Sequence, residues 1–427
     1  MASLADTRQR LQAAGQWHPG QMAGRRWPVG CVALEITQRC NLDCTLCYLS
    51  STAEAIRDIP VEEIYRRIDL IVRHYGAGTD VQVTGGEPTL RRRHELVAII
   101  RRLTGAGLRA TLFTNGIHAS RELLAELADA GLQDVAFHVD TTQQRRGYRT
   151  EEELNTLRET YIERARGLRI GVFFNTTVHD GNLEDVPMLA RFFSAHADIV
   201  RLTSFQLQAD TGRSILGTRP SPINIEGIAA RLSRGVGTPL NFDALSAGHR
   251  DCNRCAVALI TNDKAFDAYA DSSFVRRFMQ ATAQTPIDRR TPTRGALELL
   301  GVLLRHPRLW QACLRWTFGL AWRMRHDLIA ARGRVHKLSF FIHNFMDACQ
   351  LDPQRIDTCM FMAMSQDGPL SMCLYNARRD DYLLRPLPLR DGVWQPLRAD
   401  AKDGIPIKLL RGRERASTLQ RKPHSST

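Results

Sequence analysis

No stretch of this 427-residue chain runs to about 18 apolar residues without a charge. Its first residues, MASLADTRQRLQAAGQWHPG, lack the basic-then-apolar order of a secretory signal. Neither a membrane span nor an export leader is expected, and the chain reads as cytoplasmic. Ten cysteines in a reducing compartment do not make a disulfide framework. Clustered thiols there more often hold a metal or act in catalysis. No internal repeat beyond strand–helix units is evident, and a chain this long can build a core without cross-links.

Six short apolar runs rich in β-branched and aromatic residues punctuate the first half: 31–37, 80–85, 109–115, 134–140, 170–178 and 198–205. Helical patterns lie between them. One places Val61, Ile64, Ile68, Ile71 and Tyr75 on one stripe; another has Ser120 as N-cap and Gly131 just past its end. Alternation of this kind predicts a parallel sheet with helical crossovers, either a partial (β/α)6 barrel or an open doubly wound sheet. Both put the chemistry at the C-terminal ends of the strands.

Polar and reactive residues fall at those ends. Cys40, Cys44 and Cys47 follow the first run, TGGEP (84–88) the second and TNG (114–116) the third. His138 and Asp140 end the fourth, Asn175 the fifth, and Gln206 and Gln208 follow the sixth, with Asp210 and Arg213 close behind. Three thiols in a C-x-x-x-C-x-x-C spacing, without a nearby fourth Cys or His, do not suit a structural zinc site, which takes four ligands. A four-iron cluster held by three cysteines keeps one iron free for a small molecule.

This triplet after a first strand, with the aromatic Tyr48 behind it and GGEP after the second strand, resembles the signature of the radical SAM superfamily over roughly residues 28–210. The resemblance implies that Cys40, Cys44 and Cys47 hold a 4Fe-4S cluster whose open iron is chelated by S-adenosylmethionine. It also implies that Tyr48 lies near the adenine, that Gly85 and Gly86 admit the methionine amino group, that Glu87 and Pro88 fix the turn, and that Thr114 and Asn115 meet the methionine or ribose. His138 and Asp140 share one strand face and are expected to touch cofactor or substrate; simple polar residues satisfied at a strand end are the competing reading. Activity would require a small reductant protein of the flavodoxin or ferredoxin type.

Later in the chain, Cys252 and Cys255 form a C-x-x-C, and Cys359 and Cys373 lie about 100 residues beyond. Together they could hold an auxiliary 4Fe-4S cluster or a zinc ion, with Cys349 able to replace a member. Cys313 and Cys31 read as packing residues. The pattern HNFMDA…LD…R…C…DG…C.YN resembles a subgroup that includes archaeal tetraether lipid synthases and methyltransferase-like relatives. Thiols for one auxiliary centre only put lipid-tail coupling itself in doubt.

The formal charge of +13 is uneven: Arg289 to Lys337 holds 11 Lys and Arg against Glu298 and Asp327. That segment carries Trp310, Trp316 and Trp322 among Leu, Phe and Met, punctuated by Arg305, Arg308, Arg315, Arg323 and Arg325. This is the composition of a helix lying on an anionic membrane, or of core helices with arginines at their rim. Nucleic acid is disfavoured, since no aromatic-plus-basic groove motif accompanies it.

The expected organisation is an N-terminal extension (1–27), a radical SAM core (28–215), an extension with the C-x-x-C (216–288), a basic tryptophan-bearing helical segment (289–337), a C-terminal auxiliary-cluster segment (338–408) and a disordered tail (409–427). The leading expectation is hydrogen abstraction from a lipid or other hydrophobic substrate, with localisation at the inner face of the membrane in view. A peptide-modifying maturase and a cobalamin-independent methyltransferase are alternatives. Cobalamin-dependent methylation is disfavoured because about 30 residues precede the first strand. A non-catalytic zinc scaffold is the competing reading from another class.

Overall fold

The computed structural model describes residues 29–214, 223–245, 248–282, 292–390 and 392–398. The extension expected over 1–27 and the tail over 409–427 lie outside the described residues. Strand Cys31–Thr37 (β1) is buried at all seven positions, the state of a parallel strand covered on both faces. The chain then alternates helices with Asp80–Gly85 (β2), Arg109–Thr114 (β3), Asp134–His138 (β4), Gly171–Val178 (β5) and Val200–Leu207 (β6). Each of these strands pairs in parallel with the next in sequence, as short helical crossovers require.

The helices follow their local signals. Val61–Tyr75 buries Ile64, Ile68, Ile71 and Tyr75 against the sheet, with Glu62 and Glu63 in its first turn and Gly76 after its last. Ser120 caps Arg121–Asp129, its hydroxyl accepting from the Leu123 N–H at 3.3 Å.

The sheet does not stop at six strands. His336–Asn344 (β9) adds in parallel beside β6, and Phe361–Ser365 (β10) adds in parallel beside β1. Asn253–Thr261 (β7), Lys264–Asp267 (β8) and Gly368–Ser371 (β11) add antiparallel at the two edges. The order is β11-β10-β1-β2-β3-β4-β5-β6-β9-β7-β8, an open sheet in which the six-unit partial barrel forms the centre. Its ends curl toward each other: the His343 ring of β9 lies edge-on to Phe361 of β10 with centroids 4.8 Å apart.

Candidate active site

A cavity of about 230 Å³ opens among the strand ends. Its walls include Cys40, Cys44, Cys47 and Tyr48 after β1, Gly85 and Gly86 at β2, Thr114 and Asn115 at β3, and His138, Asn175 and Gln206 on β4 to β6. Residues scattered from position 40 to position 206 therefore converge, because the C-terminal ends of parallel strands share one edge. Gln206 belongs to β6 rather than to the loop after it, pairing with Thr177.

Backbone bonds hold the cysteine loop from three sides. The Thr45 N–H donates to the Thr142 carbonyl at 2.9 Å, and the Arg213 N–H is shared between the Cys47 carbonyl at 3.0 Å and the Leu49 carbonyl at 2.8 Å. From β2, Gly86 N–H donates to Thr37 O at 2.9 Å and Glu87 N–H to Arg39 O at 2.8 Å. These bonds alter the reason for the two glycines. A Cβ on Gly85 would collide with the Thr37 carbonyl and one on Gly86 with the Arg39 carbonyl. What they admit is the close backbone approach of the cysteine loop, not only a ligand. Gly85 also sits at φ +129°. Gly85→Ala is expected to lower the unfolding free energy by roughly 1–3 kcal/mol through backbone strain alone, read as a reduced denaturant midpoint; an unchanged midpoint would contradict this packing.

Glu87, Pro88 and Asp140 are not cavity-lining residues. Glu87 is buried and accepts from the Thr89 N–H (3.0 Å), Thr89 hydroxyl (2.6 Å), Thr114 hydroxyl (2.7 Å) and Asn115 N–H (2.7 Å), tying the β2 loop to the β3 loop. Pro88 starts the short turn that follows. Asp140 stands behind His138, whose Nε2 lies 2.7 Å from its Oδ2. Asp140 also accepts from the N–H and hydroxyl of Thr142 and from the Thr177 N–H. Burial alone would raise its carboxyl, but the His138 charge and these hydrogen bonds hold it well below the usual carboxylate range. His138 reaches the cavity while Asp140 orients it.

Of the three loop thiols Cys47 is buried and Cys40 and Cys44 are partly buried. Burial pushes the Cys40 thiol up to about 11, with Cys47 and Glu87 adding to the effect. Cys44 is raised well above its ordinary value by burial and then by Cys47, Asp140 and Cys40. Three thiolates so placed need a cationic centre to be stable together. Among the described residues no three Cys, His, Asp or Glu side chains converge as a single metal ion requires. A multi-iron cluster spreads its ligands further apart, and the donor set fits it.

One wall escapes the strand-end pattern. Phe345, Met346, Met372, Cys373 and Asn376 enter the cavity from the C-terminal part of the chain. Buried Glu35 on β1 accepts from Arg379 Nη1 at 2.5 and 2.7 Å, Tyr375 hydroxyl at 3.1 Å and Gln38 Nε2 at 2.8 Å. The Arg379 guanidinium lies 4.8 Å from the Tyr48 ring, whose hydroxyl donates to Gly85 O at 2.5 Å. Sequence reading missed this network; the one signal was a lone acid within the apolar run CVALEIT.

The late cysteines divide. Cys252 precedes β7 and Cys359 precedes β10; burial raises the Cys252 thiol and the charge of Cys359 adds to that rise, and both cysteines add to the rise of Cys373. Arg355 Nε donates to Cys252 Sγ at 3.1 Å. Burial pushes the Cys373 thiol up to about 12. Cys255 is not with them. It sits within β7 opposite Phe341, in an apolar cluster with Leu245, Phe274 and Met279. Three positions along an extended chain reverse the side-chain direction, so a C-x-x-C running into a strand cannot converge. Cys349 is exposed, Cys313 packs beside the cluster that holds Cys255, and Cys31 is buried in β1.

Known proteins resemble part of this chain. A probable GTP 3',8-cyclase of Pyrococcus abyssi is 32% identical over 190 residues, 44% of this chain and 60% of that protein. The 7,8-dihydro-6-hydroxymethylpterin dimethyltransferase of Methanocaldococcus jannaschii is 27% identical over 190 residues, 42% of this chain and 36% of that one. PqqA peptide cyclase of Bradyrhizobium diazoefficiens is 30% identical over 184 residues, 42% and 44% respectively. The chain thus spans 60% or less of each of these relatives. Among solved structures, Streptococcus suis SuiB bound to S-adenosylmethionine aligns with a TM-score of 0.37 at 14% identity, covering 54% of this chain and 50% of that one. Residues 34–193 match the Radical SAM superfamily, so the chain carries a radical SAM domain over that part of its length.

Proposed function

We propose that this protein cleaves S-adenosylmethionine reductively in the strand-end cavity and directs the resulting radical at a C–H bond of a lipid or other hydrophobic substrate. The observation that carries the proposal is the convergence of Cys40, Cys44 and Cys47 with Tyr48, Thr114, Asn115 and His138 around one cavity. Cys40, Cys44 and Cys47 would hold a 4Fe-4S cluster and the cavity beside them S-adenosylmethionine, and the bound pair would supply one-electron reductive cleavage of the sulfonium. The chain's own residues bind and shield. Tyr48 offers a ring fixed by Gly85 and Arg379, Asn115 is held by Asn41 at 2.7 Å, and His138 offers a polar contact oriented by Asp140. Leu42, Leu46, Phe113 and Leu207 line the same space and exclude water.

Phe345, Met346 and Met372 on the C-terminal wall favour an apolar substrate. A second reading, a peptide substrate, is favoured by likeness to PqqA peptide cyclase. Methyl transfer has support from the pterin dimethyltransferase relative. The electron would come from a flavodoxin- or ferredoxin-type protein.

An auxiliary iron–sulfur site on Cys252, Cys359 and Cys373 belongs to the proposal, and the cavity position of Cys373 would set it against the substrate. Cys255→Ala should keep the full iron and sulfide content, whereas Cys373→Ala should lose one cluster's share, about four irons. Equal iron in both variants, or loss only in Cys255→Ala, would overturn this donor set. For the activity as a whole, the test is anaerobic reconstitution of the full chain followed by strong reductant. Release of 5'-deoxyadenosine from S-adenosylmethionine is expected; zinc in the thiol sites with no cofactor cleavage would favour the scaffold. Lipid extracts from cells with and without the protein then separate a lipid from a peptide substrate.

A further inference from the structure

We propose that the outer face of the helices Pro292–Arg305 and Pro307–Ala330 docks this protein on the surface of an anionic phospholipid bilayer. The inference is independent of the chemistry in the cavity. Of the twelve large hydrophobic residues exposed among the described residues, eight lie on these two helices of 14 and 24 residues. A concentration of this kind on a small part of a surface marks an interaction site rather than scattered exposure.

The longer helix has two apolar faces with different fates. Leu309, Leu320 and Met324 are buried, and Trp316 stacks on Phe274 at 5.1 Å while its indole N–H donates to the Ala268 carbonyl at 3.1 Å. That inner row accounts for one tryptophan of the helix. The outer row leaves Phe318 70%, Trp322 68% and Ile329 78% exposed. At about 100° per residue these three fall within about 40° of one another, opposite the buried row. Leu314 extends the row, and Leu297 and Leu304 expose a second one, seven positions apart, on the shorter helix.

Arginines rim the outer row. By the same rotation Arg315 lies about 20° and Arg308 about 40° beyond Trp322, and Arg325 lies about 20° on the other side of Phe318. The Arg325 guanidinium sits 4.2 Å from the Trp322 ring. Asp327, the one acid of the longer helix, lies in the buried row and pairs with Lys264 at 2.9 Å, while Glu298 pairs with Arg294 at 3.4 Å. The outer face of the longer helix therefore carries apolar and positive groups without an acid.

Charge complementarity selects the occupant. A second copy would set this arginine rim against itself, because a two-fold contact repeats the same patch on both sides. Nucleic acid would use the arginines but leave Leu, Phe and Ile without a purpose. An anionic bilayer uses both, with phosphates taking the guanidinium groups and the headgroup–acyl boundary taking Phe318, Trp322 and Ile329. The helix lies on such a surface and does not cross it: among the described residues no helix is long and apolar enough to span a membrane.

Co-sedimentation of the full chain with vesicles tests the inference. Binding is expected to vesicles of phosphatidylcholine with phosphatidylglycerol, and weaker binding to phosphatidylcholine alone or at high salt. Phe318→Ser combined with Trp322→Ser replaces two outward side chains and should weaken the partition about tenfold. That double variant should still release 5'-deoxyadenosine at the normal rate in vesicle-free solution, which separates docking from the site. Absence of binding to the anionic vesicles, or equal binding by the double variant, would overturn the proposal. So would a concentration-dependent self-association that the double variant loses, since it would assign the face to a second copy.

Discussion

Cys44→Ala is expected to bring 5'-deoxyadenosine release down to background while leaving the protein folded. Cys44 is the middle thiol of the triplet, raised by burial and by Cys47, Asp140 and Cys40, so it lies within electrostatic reach of both partners. Alanine removes one of three donors, and the loop offers no further thiol to replace it. The fold should survive because the loop is anchored through backbone atoms. Thr45 N–H to Thr142 O and the two bonds from Arg213 N–H persist with any side chain at position 44. Iron content, thermal melting and deoxyadenosine chromatography on the anaerobic protein read the three quantities separately. Release at the normal rate would remove the cluster from this loop.

Arg379→Met should lower stability strongly, because it breaks a buried ion pair from one side. Arg379 and Glu35 are 2% and 4% exposed as side chains and 2.5 Å apart, and removing the cation leaves a buried carboxylate with Tyr375 and Gln38 as its partners among the described residues. Breaking a buried pair from one side costs about 3–5 kcal/mol. Pairing the change with Glu35→Gln should recover more than half of that loss, since a neutral amide keeps an acceptor for Tyr375 without an unpaired charge. Denaturant unfolding of both variants decides it; a double variant no more stable than the single one would mean that the pair's charge is not the cause. The single variant should also bind S-adenosylmethionine more weakly, because the Tyr48 ring loses the guanidinium stacked on it.

Local patterns were legible where the responsible forces are local. The Ile64–Ile68–Ile71 stripe, the Ser120 cap and the six βα units all rest on periodicity or near-neighbour hydrogen bonds, and each appears in the structure. The strand ends carried the triplet, Thr114, Asn115 and His138 to one cavity for the same topological reason. Glu87 was legible as fixing its own turn but not as tying that turn to Thr114 and Asn115 of the next loop, and Asp140 was legible as a strand-end residue without its partner being fixed. A motif records that a carboxylate is needed without recording what it faces.

β9 and β10 went unread because a parallel strand joins its partner through a distant crossover and leaves no turn signal between them. The same distance hid Arg379, which meets Glu35 across 344 positions. The C-x-x-C could be read as a ligand pair only while its backbone was unknown; once β7 begins at Asn253, Cys252 and Cys255 face different surroundings. In the basic segment, composition could not say which tryptophan is core, since inner and outer rows are equally apolar and differ only in what covers them. The sequence by itself determined the thiol triplet, the order of the βα units and the placement of polar residues at strand ends, because spacing and period are properties of the chain. Tertiary structure alone decided which late thiols meet, what holds Tyr48 and which helix face stays bare, because each depends on contacts between segments that sequence separates.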